Sequence, residues 1–485
     1  MVGITRIPKG LYVLLAFSIV AFITLIASGI DIRLTPPNDV VSEHPILSFD
    51  ATPSLSLATP KTKPRISIIV IYAGNYQPYL NTFFTSFRAN SDTVELIWID
   101  IGKGDNRGCL DVSPWAGANG EFNIKTLCYH PRDYWALHRD YFCTRWGCTA
   151  EESERVLQEM IRREPDDNIK SAFRLWRGYV FHHLIDPSAE WWGWADPDTF
   201  MGSFRSQFPW EANEYDVLIP AHPADMLYMR GHLCFFRSGP QTEAKINHYE
   251  NLLTLGAYFT KHHPYFAAEE AEYSAFIIRD PSITFLILPQ QLVELPERFM
   301  RPNTGKFCTL NGVYTMQAPM VLESLPPPFP NFPILAMPNI SSIAAPVFTI
   351  HGATHPIELI EGTEEKLWIP KETVTKYDID WALGPWEATR YIGRGGPFAG
   401  GSKGVWLRVE PQVPTIEVTA AHDPSIKVQL REGLYVHFFS EKHQAAWYWV
   451  LPVEPLEHHQ TLATFHEHGA EIWDQKTSKV VWRGP

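Results

Sequence analysis

Two carboxylates one residue apart, Asp196 and Asp198, close the run "EWWGWADPDTFMG" at residues 190–202. On an extended segment alternate side chains share a face, so both acids would point the same way. Side by side they repel, and a positive partner belongs between or beside them. Pro197 lacks an N–H and sits badly inside a central strand, which puts the pair where the strand ends. Carboxylates so placed can share a hard divalent cation through oxygen ligands, leaving coordination positions free for phosphate oxygens. The competing reading is a plain acidic turn, since Asp-Pro-Asp is good turn chemistry. The aromatic run ahead, Trp191, Trp192 and Trp194 around Gly193, argues instead for a buried strand that delivers the pair.

The elements that must hold this pair are visible upstream. "RISIIVIYAG" at 65–74 is β-branched, apolar on both faces and closed by a glycine, as suits a buried parallel strand. Leu80, Phe83, Phe84 and Phe87 follow at the spacing of one helical face. "VELIWID" at 94–100 is a second buried strand. Strand, helix and strand with short links make a βαβ unit, hence an α/β fold with a parallel sheet and helices on its faces. Ligands of open α/β sheets sit at the carboxyl ends of strands, which places Tyr72 to Asn75 and Asp100 to Gly102 where a nucleotide could lie, with Tyr72, Ala73, Gly74 and Asp100 as the expected contacts. Residues 103–150 read as loop, 151–164 and 171–185 as helices, 215–221 and 232–239 as strands, and 244–261 as one helix. Beyond about residue 300 prolines cluster, and strand-like runs follow at 405–409, 427–438 and 446–451.

With 485 residues the chain can bury one large or two ordinary cores. Its net charge of −13 is spread along the sequence and offers no basic groove, so a nucleic-acid partner is set aside. Residues 10–30, "GLYVLLAFSIVAFITLIASGI", carry no charge and would make a helix about 30 Å long, the thickness of a bilayer core. A cleaved signal peptide or a buried core helix are the alternatives to an anchor. Arg6 and Lys9 ahead of the span favour a cytosolic N-terminus with the bulk of the chain outside. Residues 31–64, rich in Pro, Ser and Thr, read as a flexible spacer. All six cysteines lie beyond the span, an even number that invites disulfides in an oxidising lumen, with their pairing left open. Asn339-Ile340-Ser341 is a glycosylation sequon in keeping with that compartment. The glycine run at 391–404 fits no phosphate-loop pattern, and the histidines of "EHHQTLATFHEH" at 457–468 lack zinc spacing.

The strand–glycine start, the aromatic-Trp-Gly run, Asp-x-Asp and "FMG" together resemble the GT-A nucleotide-sugar glycosyltransferases of the DXD type. A group of these has the form "FWGHCDLDVIFG", preceded by a helix with a basic-Pro-x-x-Gly-x-x-Phe pattern. Here Arg174, Gly178 and Phe181 stand in that helix, and "RGHLCFFR" follows where the group has a Gly-His strand ending in Arg or Lys. The likeness spans roughly residues 65–280. Where the group carries a Lys and an Asp ahead of the basic residue, this chain holds Ile169 and Ala172. The resemblance implies a Rossmann-like mixed sheet flanked by helices over 65–300, with a β-rich extension over 301–485, behind a cytosolic tail (1–9), an anchor (10–30) and a stem (31–64). Its implied setting is the Golgi or endoplasmic-reticulum membrane, with the catalytic domain luminal.

The same resemblance implies the chemistry. A nucleoside diphosphate leaves poorly unless its growing charge is neutralised, and Mn²⁺ or Mg²⁺ on Asp198, with Asp196 beside it on ribose or a metal-bound water, would do so. The donor would be a UDP- or GDP-sugar, the acceptor a glycan, glycoprotein or glycolipid. In GT-A enzymes a late histidine often completes the metal or diphosphate site, and "GLYVHFFSEKH" offers His437, with Lys442 and His443 as phosphate partners. Arg174 is expected near the donor. For an inverting transfer, Glu270, with Glu269 and Glu272 nearby, stands where the group places an acidic pair before a helix and would take the acceptor's proton. Acids at a helix N-terminus also suit the helix dipole. His232 either lines the acceptor pocket or satisfies a backbone group. Two rival functions use the same residues: a glycoside hydrolase with Asp198 and a late glutamate as its pair, and a non-catalytic carbohydrate-binding protein.

Overall fold

A computed structural model of the chain describes residues 63–102, 108–116, 122–167, 169–210, 212–220, 229–262, 268–270, 272–288, 292–293, 305–316, 368–369, 398–401, 404–407, 416–419, 427–438, 456–465, 469–474, 476–477 and 479–484. All of them belong to the compact unit Asp50–Pro485. The expected span at 10–30, the spacer up to residue 62, the sequon at 339–341 and the run at 446–451 lie outside the described residues. Among the described residues no helix is long and apolar enough to cross a membrane.

The centre is a mixed sheet. β1 (Ile66–Tyr72) lies between β2 (Val94–Ile101) and β4 (Trp191–Ala195), and β3 (Ile124–Tyr129) flanks β2, all parallel. On the other side β7 (Leu233–Arg237) runs antiparallel between β4 and β6 (Val217–Pro220), and β8 (Phe285–Leu288) continues parallel to β6. The order β8-β6-β7-β4-β1-β2-β3 is extended past β8 by β12 (Phe398–Gly401), β13 (Gly404–Leu407) and β11 (Trp368–Ile369). Strand alternation sorts the apolar residues onto two faces. Ile68, Val70, Trp98 and Trp191 pack with Phe83, Phe84 and Phe87 of the helix Tyr79–Ala89. Ile69, Ile97, Trp192 and Trp194 pack on the other face with Trp135, Phe173 and Trp176. Each of the three tryptophans of β4 is at most 1% exposed. Burying a ring of that size stabilises by about 4–6 kcal/mol before the entropy of ordering is subtracted. That burial fixes the strand whose end carries Asp196.

Two glycines are required by close approach. A Cβ on Gly193 would lie 2.4 Å from the Cys234 carbonyl of β7, and one on Gly178 would lie 2.1 Å from the indole of Trp192. The second explains a correction: residues 171–185, expected as one helix, fold as a chain of short turns at Ile169–Ala172, Arg174–Trp176, Arg177–Val180 and His182–Leu184. Residues 171–180 are buried throughout, so no solvent face exists to define an amphipathic helix. The expected helix at 244–261 likewise splits into Pro240–Ile246, a turn at Glu250–Leu252 and Leu255–Thr260. The expected loop at 103–150 contains β3 and the helix Pro131–Trp146, started by Pro131 and the His130 cap and stopped by Gly147 at φ 69°. Disulfides join Cys109 to Cys128 and Cys143 to Cys148, while Cys234 and Cys308 are fully buried.

A second, antiparallel sheet has the order β14 (Ile416–Thr419), β15 (Lys427–Gly433), β10 (Gly312–Met316), β9 (Gly305–Thr309), β17 (Gln460–Phe465), β18 (Gly469–Asp474) and β19 (Lys479–Arg483). The expected strand at 427–438 breaks at Leu434, and its continuation β16 (Tyr435–His437) leaves this sheet to pair with β5 (Thr199–Met201), the strand directly after the Asp-Pro-Asp corner. Phe200, Val436, Phe438, Cys308 and Val313 form the apolar joint. Asn90, at the end of the helix Tyr79–Ala89, steadies the corner from below: it donates to the Gly202 carbonyl and accepts from Phe204 N–H.

Candidate active site

The corner after β4 is fixed on both sides by main-chain bonds. Asp196 N–H donates to the His232 carbonyl at 3.0 Å, and Phe438 N–H donates to the Asp198 carbonyl at 3.0 Å. The Thr199 hydroxyl donates back to the Asp196 carbonyl at 2.7 Å. In register His437 stands opposite Thr199, one residue from Asp198.

The side chains then separate the two acids by partner. Arg174 Nη2 donates to Asp196 Oδ1 at 2.9 Å, and its Nη1 lies 3.2 Å from Glu269 Oε1. Asp198 Oδ2 lies 3.4 Å from His437 Nε2. Gly231 N–H donates to Glu270 Oε1 at 3.0 Å. His232 stacks on His437, ring centroids 4.2 Å apart, and its Nδ1 is 2.7 Å from the Tyr435 hydroxyl. Asp198, Glu269, Arg174, Arg177, His232 and His437 are all buried, whereas the Asp196 side chain keeps 29% exposure.

The electrostatics follow from crowding out of water. Burial, then Glu269, pushes Glu270 up to about 6, against Arg230 and the Gly231 N–H. Burial raises Asp196 as well, with Arg174 opposing and Asp198 and Glu269 adding to the rise. Burial opposes the charge on Arg174, but Asp196 and Glu269 outweigh it and hold the guanidinium protonated above its usual range. Arg177 is brought down to about 10, by burial and then by Arg174.

Among the expected nucleotide contacts, Tyr72 is buried at the end of β1, its hydroxyl donating to the Asn75 carbonyl and its ring 4.9 Å from Trp98. Ala73 is half-buried, and Gly74 lies over the Tyr72 hydroxyl. Tyr79 joins this group to the acids: burial, then Tyr72, Asp198 and Asp196, raise its phenol. Asp100 is Tyr72's neighbour in register but is 1% exposed, and its Oδ2 accepts the Leu110 N–H at 2.6 Å. That contact is local to the segment tied down by Cys109–Cys128. Glu272 begins the helix Glu272–Arg279. Lys442 and His443 lie outside the described residues. Of the two sequence readings of His232 the favoured one is a bond to a backbone carbonyl, whereas its ring meets the Tyr435 hydroxyl. Tyr435, Tyr79 and Arg230 were missed, and only the Gly-His pair and the alternation of Tyr435 with His437 offered a signal.

An oxygen and a nitrogen 3.4 Å apart are spaced much like neighbouring ligands on one ion, and carboxylate with imidazole is a donor set that Mn²⁺ accepts. Among the described residues no three His, Cys, Asp or Glu side chains group to close a metal cage unaided. Asp198 and His437 would fill two positions on such an ion, and its other ligands would have to come from elsewhere.

No protein-family model matches this sequence, and no curated protein does. Among solved structures the chain is similar to the galactosyltransferase LgtC in complex with donor and acceptor sugar analogs, at 12% identity and a TM-score of 0.20 over 35% of this chain. It spans 57% of that protein's length, less than two thirds. It is also similar to mouse xyloside xylosyltransferase 1 in its apo form, at 9% identity and a TM-score of 0.27, covering 48% of this chain and 89% of the other. Both of these are glycosyltransferases.

Proposed function

We propose that the protein is a metal-dependent glycosyltransferase that moves a sugar from a UDP- or GDP-sugar to a hydroxyl of a glycan, glycoprotein or glycolipid. The observation that carries this reading is the pairing of Asp198 with His437 at the carboxyl end of β4, beside the end of β1. Mn²⁺ or Mg²⁺ held by these two residues would supply Lewis-acid neutralisation of the departing diphosphate.

The remaining work falls to the chain. Arg174 fixes Asp196 by a charge-assisted bond, and the exposure left to that carboxylate lets it accept a hydrogen bond from a donor hydroxyl. The turn Tyr72-Ala73-Gly74 lines the nucleoside side, with Tyr79 behind it. Glu270, lifted to about 6, is ionised at neutral pH yet accepts a proton more readily than an ordinary carboxylate. In an inverting transfer it takes the acceptor's hydroxyl proton, and the charge of Glu269 sharpens its basicity. Two disulfides favour an oxidising compartment. The proposal accordingly sets the chain in the Golgi or endoplasmic-reticulum membrane through residues 10–30, with 65–300 as catalytic core and 301–485 as its β-rich extension.

The test is a thermal-shift panel of UDP, GDP and CMP, each with and without Mn²⁺, on the wild type and on Asp198→Ala. A metal-dependent rise with UDP or GDP that the variant loses is expected. No rise with any nucleotide sinks the proposal and leaves a glycoside hydrolase or a carbohydrate-binding protein in its place.

A further inference from the structure

His232 makes three contacts in three directions. Its carbonyl accepts the Asp196 N–H at 3.0 Å, its Nδ1 meets the Tyr435 hydroxyl at 2.7 Å, and its ring lies on that of His437 at 4.2 Å and 21° from coplanar. Tyr435 and His437 are two apart on β16, so strand alternation turns both toward the same side. The Tyr435 bond therefore stops the His232 ring from rotating, and the stopped ring in turn limits the tilt of His437. The main chain around His232 is equally constrained: Trp194 Nε1 donates to the Arg230 carbonyl, Met229 N–H to Ser274 Oγ and Gly231 N–H to Glu270. His232 thus ties the strand that carries Asp196 to the strand that carries His437, across 203 residues of sequence separating it from Tyr435.

We propose that His232, locked by Tyr435, is a positioning residue that holds the His437 imidazole in the orientation needed to ligate a divalent cation together with Asp198. The inference rests on the metal reading given above. It goes further by assigning cation affinity to a residue that touches neither the ion nor the substrate. What the pair contributes is a fixed ring plane: an imidazole free to swing about its side-chain torsions would present Nε2 to Asp198 only part of the time. A flat apolar ring in place of His232 would preserve the stacking face while losing the bond to Tyr435. Alanine would lose both.

The experiment titrates Mn²⁺ alone into the full-length protein and follows the free-ion signal by electron paramagnetic resonance. The proteins are the wild type, Asp198→Ala, His232→Ala, His232→Phe and Tyr435→Phe, with the metal-free melting temperature of each measured alongside. Asp198→Ala is expected to abolish saturable binding. His232→Ala should weaken binding roughly ten- to a hundredfold, as loss of an outer partner of a ligating histidine does. His232→Phe should recover most of that loss, and Tyr435→Phe should fall between it and the wild type at a nearly unchanged melting temperature. A purely structural role would make affinity follow the melting temperature, with no rescue by phenylalanine, and that pattern overturns the inference. If the wild type binds Mn²⁺, Asp198→Ala does not and His232→Ala binds as the wild type does, this inference alone falls. If the wild type itself fails to bind, the metal reading falls with it. Should His232→Ala not fold, wild-type affinity in Tyr435→Phe is sufficient to refute the positioning role.

Discussion

Glu95 and Glu269 are both glutamates almost sealed from water, at 2% and 3% exposure, and the chain treats them in opposite ways. Glu95 sits near the amino ends of the parallel strands. Its Oε1 accepts from the Ser67 hydroxyl and from Asp186 N–H, and its Oε2 lies 2.7 Å from Lys125 Nζ. Lys125 in turn donates to the Leu184 carbonyl. Every oxygen is answered. At the carboxyl ends, Glu269 shares the Arg174 guanidinium with Asp196, and its Oε2 is buried with no hydrogen-bond partner among the described residues. Four carboxylates (Asp196, Asp198, Glu269, Glu270) meet three guanidiniums (Arg174, Arg177, Arg230) there. An incompletely answered buried acid costs stability, so a fold keeps one where something else gains. The difference separates a fully answered network that holds the sheet together from an incompletely answered one, the arrangement expected of the ligand site proposed above.

Four substitutions would break or sharpen that contrast. The largest effect is expected from Asp198→Ala, which should lower sugar transfer roughly a thousandfold, the scale of a lost preorganised charge contact. Its metal-free melting temperature should scarcely move, and a large drop would mean that the corner is structural after all. Glu95→Ala should do the reverse: denaturant unfolding should register a loss of about 3 kcal/mol, because Lys125 and Asp186 N–H lose their acceptor. The kcat of the folded fraction should not change. Glu270→Gln should cost about a hundredfold in kcat. In the wild type the kcat/KM profile should fall on the acid side with an apparent pKa of about 6, as the base takes up its proton, and this limb should vanish in the variant.

The smallest effect concerns Glu432 on β15, which faces Ser206, Gln207 and Tyr314, none of them cationic. Burial pushes it up to about 7 from an ordinary 4.5, with Ser206 and Gln207 opposing. A carboxyl that holds its proton more tightly when folded favours folding at low pH and weakens it as pH rises from about 4.5 to 7. Glu432→Gln should therefore stabilise the protein at pH 8 by about 1–2 kcal/mol and give no gain at pH 4. Melting curves at the two values would settle the sign.

Legibility in the sequence tracked how local each cause was. β1, β2 and the face Leu80-Phe83-Phe84-Phe87 were plain because apolar periodicity is a property of adjacent residues. The strand exit at Asp196 and Asp198 was equally plain, for Pro197 and the buried tryptophans announce it. The helix Pro131–Trp146 was missed although Tyr134, Trp135, His138 and Phe142 form its buried side, because charged residues interrupt the stripe; Pro131 and Gly147 were the usable marks. The broken segment 169–184 could not be read as turns, since its breaks answer to Trp192 and Asp196 across the fold. Nothing local pairs Tyr435 with His232, or parts Asp198 from Asp196 by giving each its own partner.

The passage of β16 out of its own sheet to lie against β5 has a consequence in time. A ribosome releases Asp196 and Asp198 long before it reaches Tyr435 and His437, so the nascent chain carries the acids of the corner without the strand that completes it. A product shortened before β16 has the Asp-Pro-Asp corner but neither Tyr435 nor His437 to set against it.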